Sequence, residues 1–187
     1  DRLGSYGYER DTSPSLDRLA ASGVRFARHL AQSSWTKCSM ASLWTGFYPA
    51  RSGLTRFDHV TPPEAKLPAE ILREAGYRTT ALYRNGWVAP YFGFDQGFEI
   101  YDDHVGEGPE DLESLEAERS ASEVFSTFDA WLSARESDRP FFAWLHFYDP
   151  HAPYTPPEPF ATDYRADPYA GEVAYVDEVI GSVVGRL

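Results

Sequence analysis

The chain has 187 residues, 42% apolar and 16% aromatic, which is enough large apolar surface for one packed domain and too much for a disordered chain. Seventeen basic against 29 acidic side chains leave a net charge of −12 at pH 7, which argues against binding to phosphate backbones or anionic lipid. A local basic pocket for one small anion stays compatible with that charge. Cys38 is the single cysteine, so no internal disulfide and no cysteine metal cluster can form.

No apolar run approaches the roughly 18 residues of a membrane span, the longest being 141–147 with a histidine inside it. No nucleic-acid partner and no membrane contact within this segment are expected. The chain opens on Asp1 with neither Met nor a signal peptide, which reads as a processed or truncated start.

Helical and strand-like segments alternate along the chain, the pattern of an α/β layer architecture. Ser13 is read as an N-cap and Pro14 as the first helical residue. Leu16, Leu19 and Ala20 form the apolar stripe, and Gly23 closes the helix. Extended Val24 to Phe26 follows. A short helix is predicted over Ser39–Thr45, ended by Gly46.

The next helix, Pro68 to Ala75, places Leu67, Ile71, Leu72 and Ala75 on one face, and Arg78 to Tyr83 reads as a strand. Gly86 to Tyr101 reads as loop with at most short strands. Residues 102–120 read as an acidic surface excursion. Ala121, Val124, Phe125, Phe128, Trp131 and Leu132 then recur at helical spacing.

Phe141 to Phe147 lacks polar alternation apart from His146 and reads as a central parallel strand buried on both faces. Asp149 to Pro159 is a proline-rich loop. Tyr169, Val173, Val176, Ile180, Val183 and Leu187 mark a last helix that runs to the end of the chain without a stop signal. Helix, strand and helix with nothing after them read as a domain cut part-way through.

Three segments carry chemistry. In Ser33 to Gly46, hydroxyls crowd the start of a helix, where free N–H groups and the positive dipole end favour an oxyanion. The plainer reading is that Thr36 or Ser39 caps the helix. In His146 to Tyr154, Asp149 and His151 follow a strand end, where ligand groups gather in α/β sheets. The plainer reading there is an Asp-Pro turn with an incidental histidine. A zinc pair of His146 and His151 is disfavoured, since a spacing of five suits neither a strand face nor a helix face. Arg84, after the strand ending at Tyr83, is either an oxyanion clamp or a surface ion-pair member.

These segments occur in the order of a known family. Asp1-Arg-Leu-Gly-Ser-Tyr-Gly-Tyr8, Thr12 to Phe26, Ala41-Ser-Leu-Trp-Thr-Gly-Phe-Tyr-Pro49 and Glu74-Ala-Gly-Tyr-Arg-Thr79 resemble sulfatases of the alkaline-phosphatase superfamily. Gly93-Phe-Asp-Gln-Gly-Phe98, Asp149-Pro-His-Ala-Pro-Tyr154 and Gly171-Glu-Val-Ala-Tyr-Val-Asp177 are similar to further blocks of that family. The resemblance implies an alkaline-phosphatase-like α/β fold, a mainly parallel sheet flanked by helices and incomplete in this chain. Residues 1–187 are then part of one sulfatase-like catalytic domain that lacks the first strand and the C-terminal metal-binding block.

The resemblance also implies site residues. The family motif reads Cys or Ser, any residue, Pro, Ser, Arg, and its first residue becomes formylglycine. Here Thr36 takes that first position, Cys38 the Pro position and Met40 the Arg position. Oxidising a threonine gives a ketone, so no formylglycine is expected. Thr36 instead resembles the threonine nucleophile of the superfamily's phosphatases, phosphodiesterases and phosphoryl transferases. The family's Lys-Trp-His block falls on Arg84-Asn85-Gly86, with the histidine absent.

The implied roles are Thr36 as nucleophile and metal ligand and His151 as catalytic acid or anion contact. Arg84, Ser39 and Asn85 are implied as substrate contacts. The implied cofactor is a divalent ion (Ca, Mg, Mn or Zn), held in the family by acidic blocks on either side of this segment; Asp1 is out of register with the first. The substrate is a small anionic ester of sulfate or phosphate. The family resemblance allows a periplasmic or secreted setting. Two alternatives stay open, a degenerate anion- or partner-binding module and a phosphoryl transferase of the same superfamily. A Ser-His-Asp hydrolase is set aside, because the Gly-any-Ser-any-Gly elbow is missing. With strands missing at both sides, the segment alone is expected to be inactive, unstable or aggregation-prone.

Overall fold

A computed structural model describes residues 2–83, 86–102, 120–135 and 138–187. The helices are α1 (Pro14–Ser22), α2 (Thr36–Thr45), α3 (Pro49–Ser52), α4 (Pro68–Glu74), α5 (Ala121–Ala134), α6 (Phe160–Asp163) and α7 (Pro168–Gly185). The strands are β1 (Arg78–Tyr83), β2 (Ile100–Asp102) and β3 (Phe141–His146). They fall into two compact units. One joins Asp1–Arg28, Arg119–Ser133 and Phe147–Leu187; the other joins His29–Glu118 and Ala134–His146. Most of the acidic excursion lies outside the described residues.

The second unit holds the sheet. Its order is β2-β1-β3 with both pairings parallel, and Thr80 faces Ile100 on one side and Ala143 on the other. Parallel pairing requires crossovers, and the segments between the strands supply the length for them. β1 is the central strand, buried from Thr79 to Tyr83. The core beneath it gathers Ala41, Leu54, Ala81, Phe92, Phe94 and Trp144.

The expectation of a doubly buried central strand at 141–147 is corrected. β3 lies at the edge of the described sheet, and only Trp144 in it is buried. Its apolar run has another cause. Phe142 and Trp144, two apart and therefore on one face, pack against Trp44 at ring-centroid distances of 6.0 and 4.9 Å and against Phe98. The apolar residues serve an aromatic layer on that face.

The predicted face of α4 is also corrected. Leu67 and Ala69 are buried, whereas Ile71 is 52% exposed and Ala75 is exposed as well. The helix is short, and what covers it is the turn at Gly97. That glycine has φ +88°, and a Cβ there would lie 2.2 Å from Glu70 N. The family-like block from Gly93 to Phe98 therefore meets the start of α4 backbone to backbone.

In the helical unit α1 packs on α7, and so does α6. Ser13 does not cap α1, correcting the sequence reading. Its hydroxyl accepts from Gly4 N, and the cap comes from Asp177, whose two carboxylate oxygens accept Ser15 N and Leu16 N at 2.8 Å each. Asp167 caps α7 by accepting from Ala170 N.

On α5, Ala121, Val124 and Phe128 are buried, and Ser122 N donates to the Tyr175 hydroxyl of α7. Val24 and Phe26 make no sheet pair among the described residues and are exposed. At the other end of the predicted stripe Leu187 is also exposed, because burial on α7 concentrates between Ala170 and Val179.

Candidate functional site

The first candidate region is the start of α2. The helix begins at Thr36, three residues before the predicted start, so the chemistry-bearing threonine is inside the helix as its first residue. Trp35 is the extended N-cap residue and offers no side-chain acceptor, which removes the reading of Thr36 or Ser39 as a cap. The first helical hydrogen bond runs from Ser39 N to Trp35 O at 2.9 Å. The N–H groups of Thr36, Lys37 and Cys38 precede it and have no helical acceptor. Thr36 and Ser39 are both half-buried. An anion placed before this turn would meet three N–H donors and the positive dipole end.

The next two side chains hold the turn down. Lys37 is fully buried, and its ammonium donates to Phe57 O and His59 O at 2.6 Å each. It lies 4.1 Å from the centroid of the Phe92 ring and 5.2 Å from that of Trp35. Burial pushes its pKa below the ordinary lysine value, against the opposing pull of Cys38 and Asp58. Cys38, at the family's Pro position, donates its thiol to Leu54 O at 2.8 Å. Burial raises its pKa, with Lys37 opposing, so it stays a protonated thiol and not a nucleophile. Met40, at the family's Arg position, packs against the aromatic core.

The second region is the loop after β3, in the helical unit. Its backbone is fastened by Glu172 of α7, 2% exposed, which accepts His151 N at 3.1 Å and Thr155 N at 2.6 Å. His151 is exposed, and both its ring nitrogens are engaged, Nδ1 with Ala152 O at 2.8 Å and Nε2 with the Tyr148 hydroxyl at 3.1 Å. Asp149 turns toward α5, accepting from Ala121 N, and burial raises its pKa against that hydrogen bond.

His146, at the end of β3, belongs to the other unit. Burial lowers its pKa to about 4, so it is neutral at pH 7, and its Nδ1 is buried without a hydrogen-bond partner. Among the described residues no three His, Cys, Asp or Glu side chains come together to hold a metal, and His146 and His151 form no such group. No helix among them is long and apolar enough to cross a membrane.

Thr36 and Ser39 thus share one helical turn, while His151 is built separately in the helical unit. Arg84 and Asn85 lie outside the described residues. Sequence reasoning missed Lys37, Tyr148 and Glu172. The available signal for Glu172 was a lone carboxylate inside the apolar run from Ala170 to Tyr175.

A sulfatase family model matches residues 1–187. Human arylsulfatase A is 25% identical over 99% of this chain and 45% of its own length. Human steryl-sulfatase is 34% identical over 42% of this chain and 15% of its own. Among solved structures, the phosphonate monoester hydrolase of Agrobacterium radiobacter superposes with a TM-score of 0.77 at 20% identity, covering 100% of this chain and 56% of that one. A structure described as Ps i-CgsB gives 0.76 at 20% identity, over 100% and 51%. The chain spans about half the length of the proteins it matches from end to end. The fold is alkaline-phosphatase-like, as the family resemblance implied.

Proposed function

Since the chain belongs to the sulfatase family, we propose that it contributes the nucleophile turn and the leaving-group histidine of a metal-dependent sulfate- or phosphate-ester hydrolase. The observation that carries the reading is Thr36 itself, half-buried as the first residue of α2 before an N-terminus that no side chain caps. Its span of about half of its relatives supports reading residues 1–187 as part of one sulfatase-like catalytic domain.

In this reading the Thr36 oxygen attacks phosphorus or sulfur, one bond to oxygen forming as the bond to the leaving oxygen breaks. The Thr36 hydroxyl gives its proton to solvent, and water later releases the enzyme ester. The N–H groups of residues 36–38 donate to the non-bridging oxygens as charge develops on them. Ser39, Arg84 and Asn85 are assigned to substrate contact, and His151 to protonating the leaving oxygen. Threonine at this position replaces aldehyde-hydrate chemistry by a direct alkoxide attack.

The family's cofactor is a divalent ion, which would stabilise that alkoxide. The described residues present no cluster that holds one by itself. Thr36 Oγ1 is the ligand assigned on this chain, and no step above passes through the ion.

A second reading, a binding module that has lost catalysis, rests on Cys38 and Met40. The positions that carry Pro and Arg in the family are spent here on a hydrogen bond to Leu54 O and on core packing.

The test compares hydrolysis of nitrophenyl phosphate, a nitrophenyl phosphodiester and nitrophenyl sulfate by the full-length protein across Mg, Mn, Ca and Zn, beside Thr36→Ala. Turnover that disappears with Thr36 supports the hydrolase. Turnover retained by Thr36→Ala ends the nucleophile assignment, and no turnover on any ester with any ion favours the binding module.

A further inference from the structure

His151 is an exposed side chain on a proline-rich loop, yet its backbone N–H and both ring nitrogens are held. Its backbone N–H donates to buried Glu172. Its Nδ1 lies 2.8 Å from Ala152 O. A carbonyl oxygen only accepts, so Nδ1 must carry the proton. In the neutral ring Nε2 is then the lone-pair nitrogen, and the Tyr148 hydroxyl 3.1 Å away donates to it. The two rings also stack, with centroids 4.2 Å apart and planes 30° apart. Ordering an exposed side chain costs conformational entropy, and an incidental surface histidine has no need of three restraints on its ring.

Ala152 O is satisfied by Nδ1–H in both charge states of the imidazole. The Tyr148 hydroxyl can switch, because it donates as well as accepts. It donates to Nε2 while the ring is neutral, and it accepts from Nε2–H once the ring is protonated. We infer that Tyr148 is the positioning residue for proton delivery by His151, aiming Nε2 in both charge states. The inference rests on the assignment of His151 as the leaving-group acid. When the leaving oxygen replaces the Tyr148 hydroxyl as acceptor, the Nε2 proton passes to it and the bond between that oxygen and phosphorus or sulfur breaks. The ring ends neutral, and Tyr148 donates to Nε2 again.

Two measurements on the full-length protein test this. The first is the 15N spectrum of histidine-labelled protein in alkaline buffer, with the signals assigned by their loss in His151→Asn. A neutral ring protonated on Nδ1 is the expected result, and protonation on Nε2 overturns the arrangement whatever the activity shows.

The second is the leaving-group dependence of Tyr148→Phe, which keeps the ring and removes only the hydroxyl. On an alkyl ester, whose leaving oxygen needs the proton, kcat should fall roughly tenfold with KM nearly unchanged, less than the ~10²-fold that losing a general acid outright entails. On a nitrophenyl ester, which leaves without protonation, the fall should be less than about twofold. Equal falls on both esters, or none on either, overturn the inference. Thr36→Ala separates the two levels of argument. Turnover that survives it removes the nucleophile assignment, while the nitrogen spectrum and the leaving-group contrast still judge Tyr148.

Discussion

The two candidate regions reach a fixed geometry by opposite means. At the start of α2 the groups proposed to meet a substrate are backbone N–H donors and the hydroxyls of Thr36 and Ser39, and the side chains of Lys37 and Cys38 point away. Lys37 and Cys38 are buried on the carbonyls of Phe57, His59 and Leu54, fastening the turn from behind. At His151 the group proposed to react is a side chain on a loop, and it is held from the front by Tyr148 and Ala152 and beneath by Glu172. A helix terminus is rigid once its core face is packed, so its chemistry tolerates many neighbours. A loop residue is only as well placed as each bond that holds it.

The largest effect that tests this contrast is at Thr36. Thr36→Ala should lower turnover by about 10³-fold or more while shifting stability by less than about 0.5 kcal/mol, because a half-buried hydroxyl is removed from a turn held by others. Activity assays beside urea melts check both halves. A large loss of stability would show that the hydroxyl belongs to the fold and not only to the chemistry.

Glu172→Ala should destabilise by about 3 kcal/mol, since it removes a buried carboxylate that accepts two backbone N–H groups, and Glu172→Gln by less because one acceptor remains. Denaturant midpoints check the order. Equal effects would mean that the loop is held by other bonds. His146 gives a comparable effect only in acid. The unfolded chain takes up this proton near pH 6.5 and the folded protein only near 4, so stability falls as pH drops through that window and the loss is complete below it. His146→Gln should abolish an acid-side loss of about 3 kcal/mol, read as the difference in melts at pH 7 and pH 4.

The smallest contrast lies on α4. Ile71→Lys should change stability by less than about 0.5 kcal/mol, against about 3 kcal/mol for Leu67→Ala, although both residues sit on the face read from the sequence. Similar losses for the two would restore that face.

What was legible in the chain was whatever depends on near neighbours. Pro14 opening α1, the strand at Arg78–Tyr83 and the helical spacing from Ala121 were read correctly, because each is encoded within a few turns or strand residues, and the family was legible from its motifs in order. The missed features are set by distant partners. Ser13 looks like a cap by type, but its hydroxyl is taken by Gly4 and the cap comes from Asp177. Ile71 has the right spacing for burial, but the covering element is the turn at Gly97, which lies over Ala69 instead. The 141–147 run looks central because six of its seven residues are apolar, and only the layer of Trp44 and Phe98 shows why one face suffices. Lys37 was invisible for a related reason, since no local pattern separates a buried lysine from a surface one.

The cap on α1 has a consequence for the order of assembly. Its acceptor lies 162 residues downstream of Ser15. As the chain grows from its N-terminus, the first turn of α1 stays without its carboxylate until nearly all of these residues have been made. The unit containing α1 is therefore closed by some of the most sequence-distant contacts in the chain, and such contacts form slowly. β1, β2 and β3 can pair before that closure. Removing the carboxylate with Asp177→Asn should slow refolding of the helical unit more than pairing of the sheet.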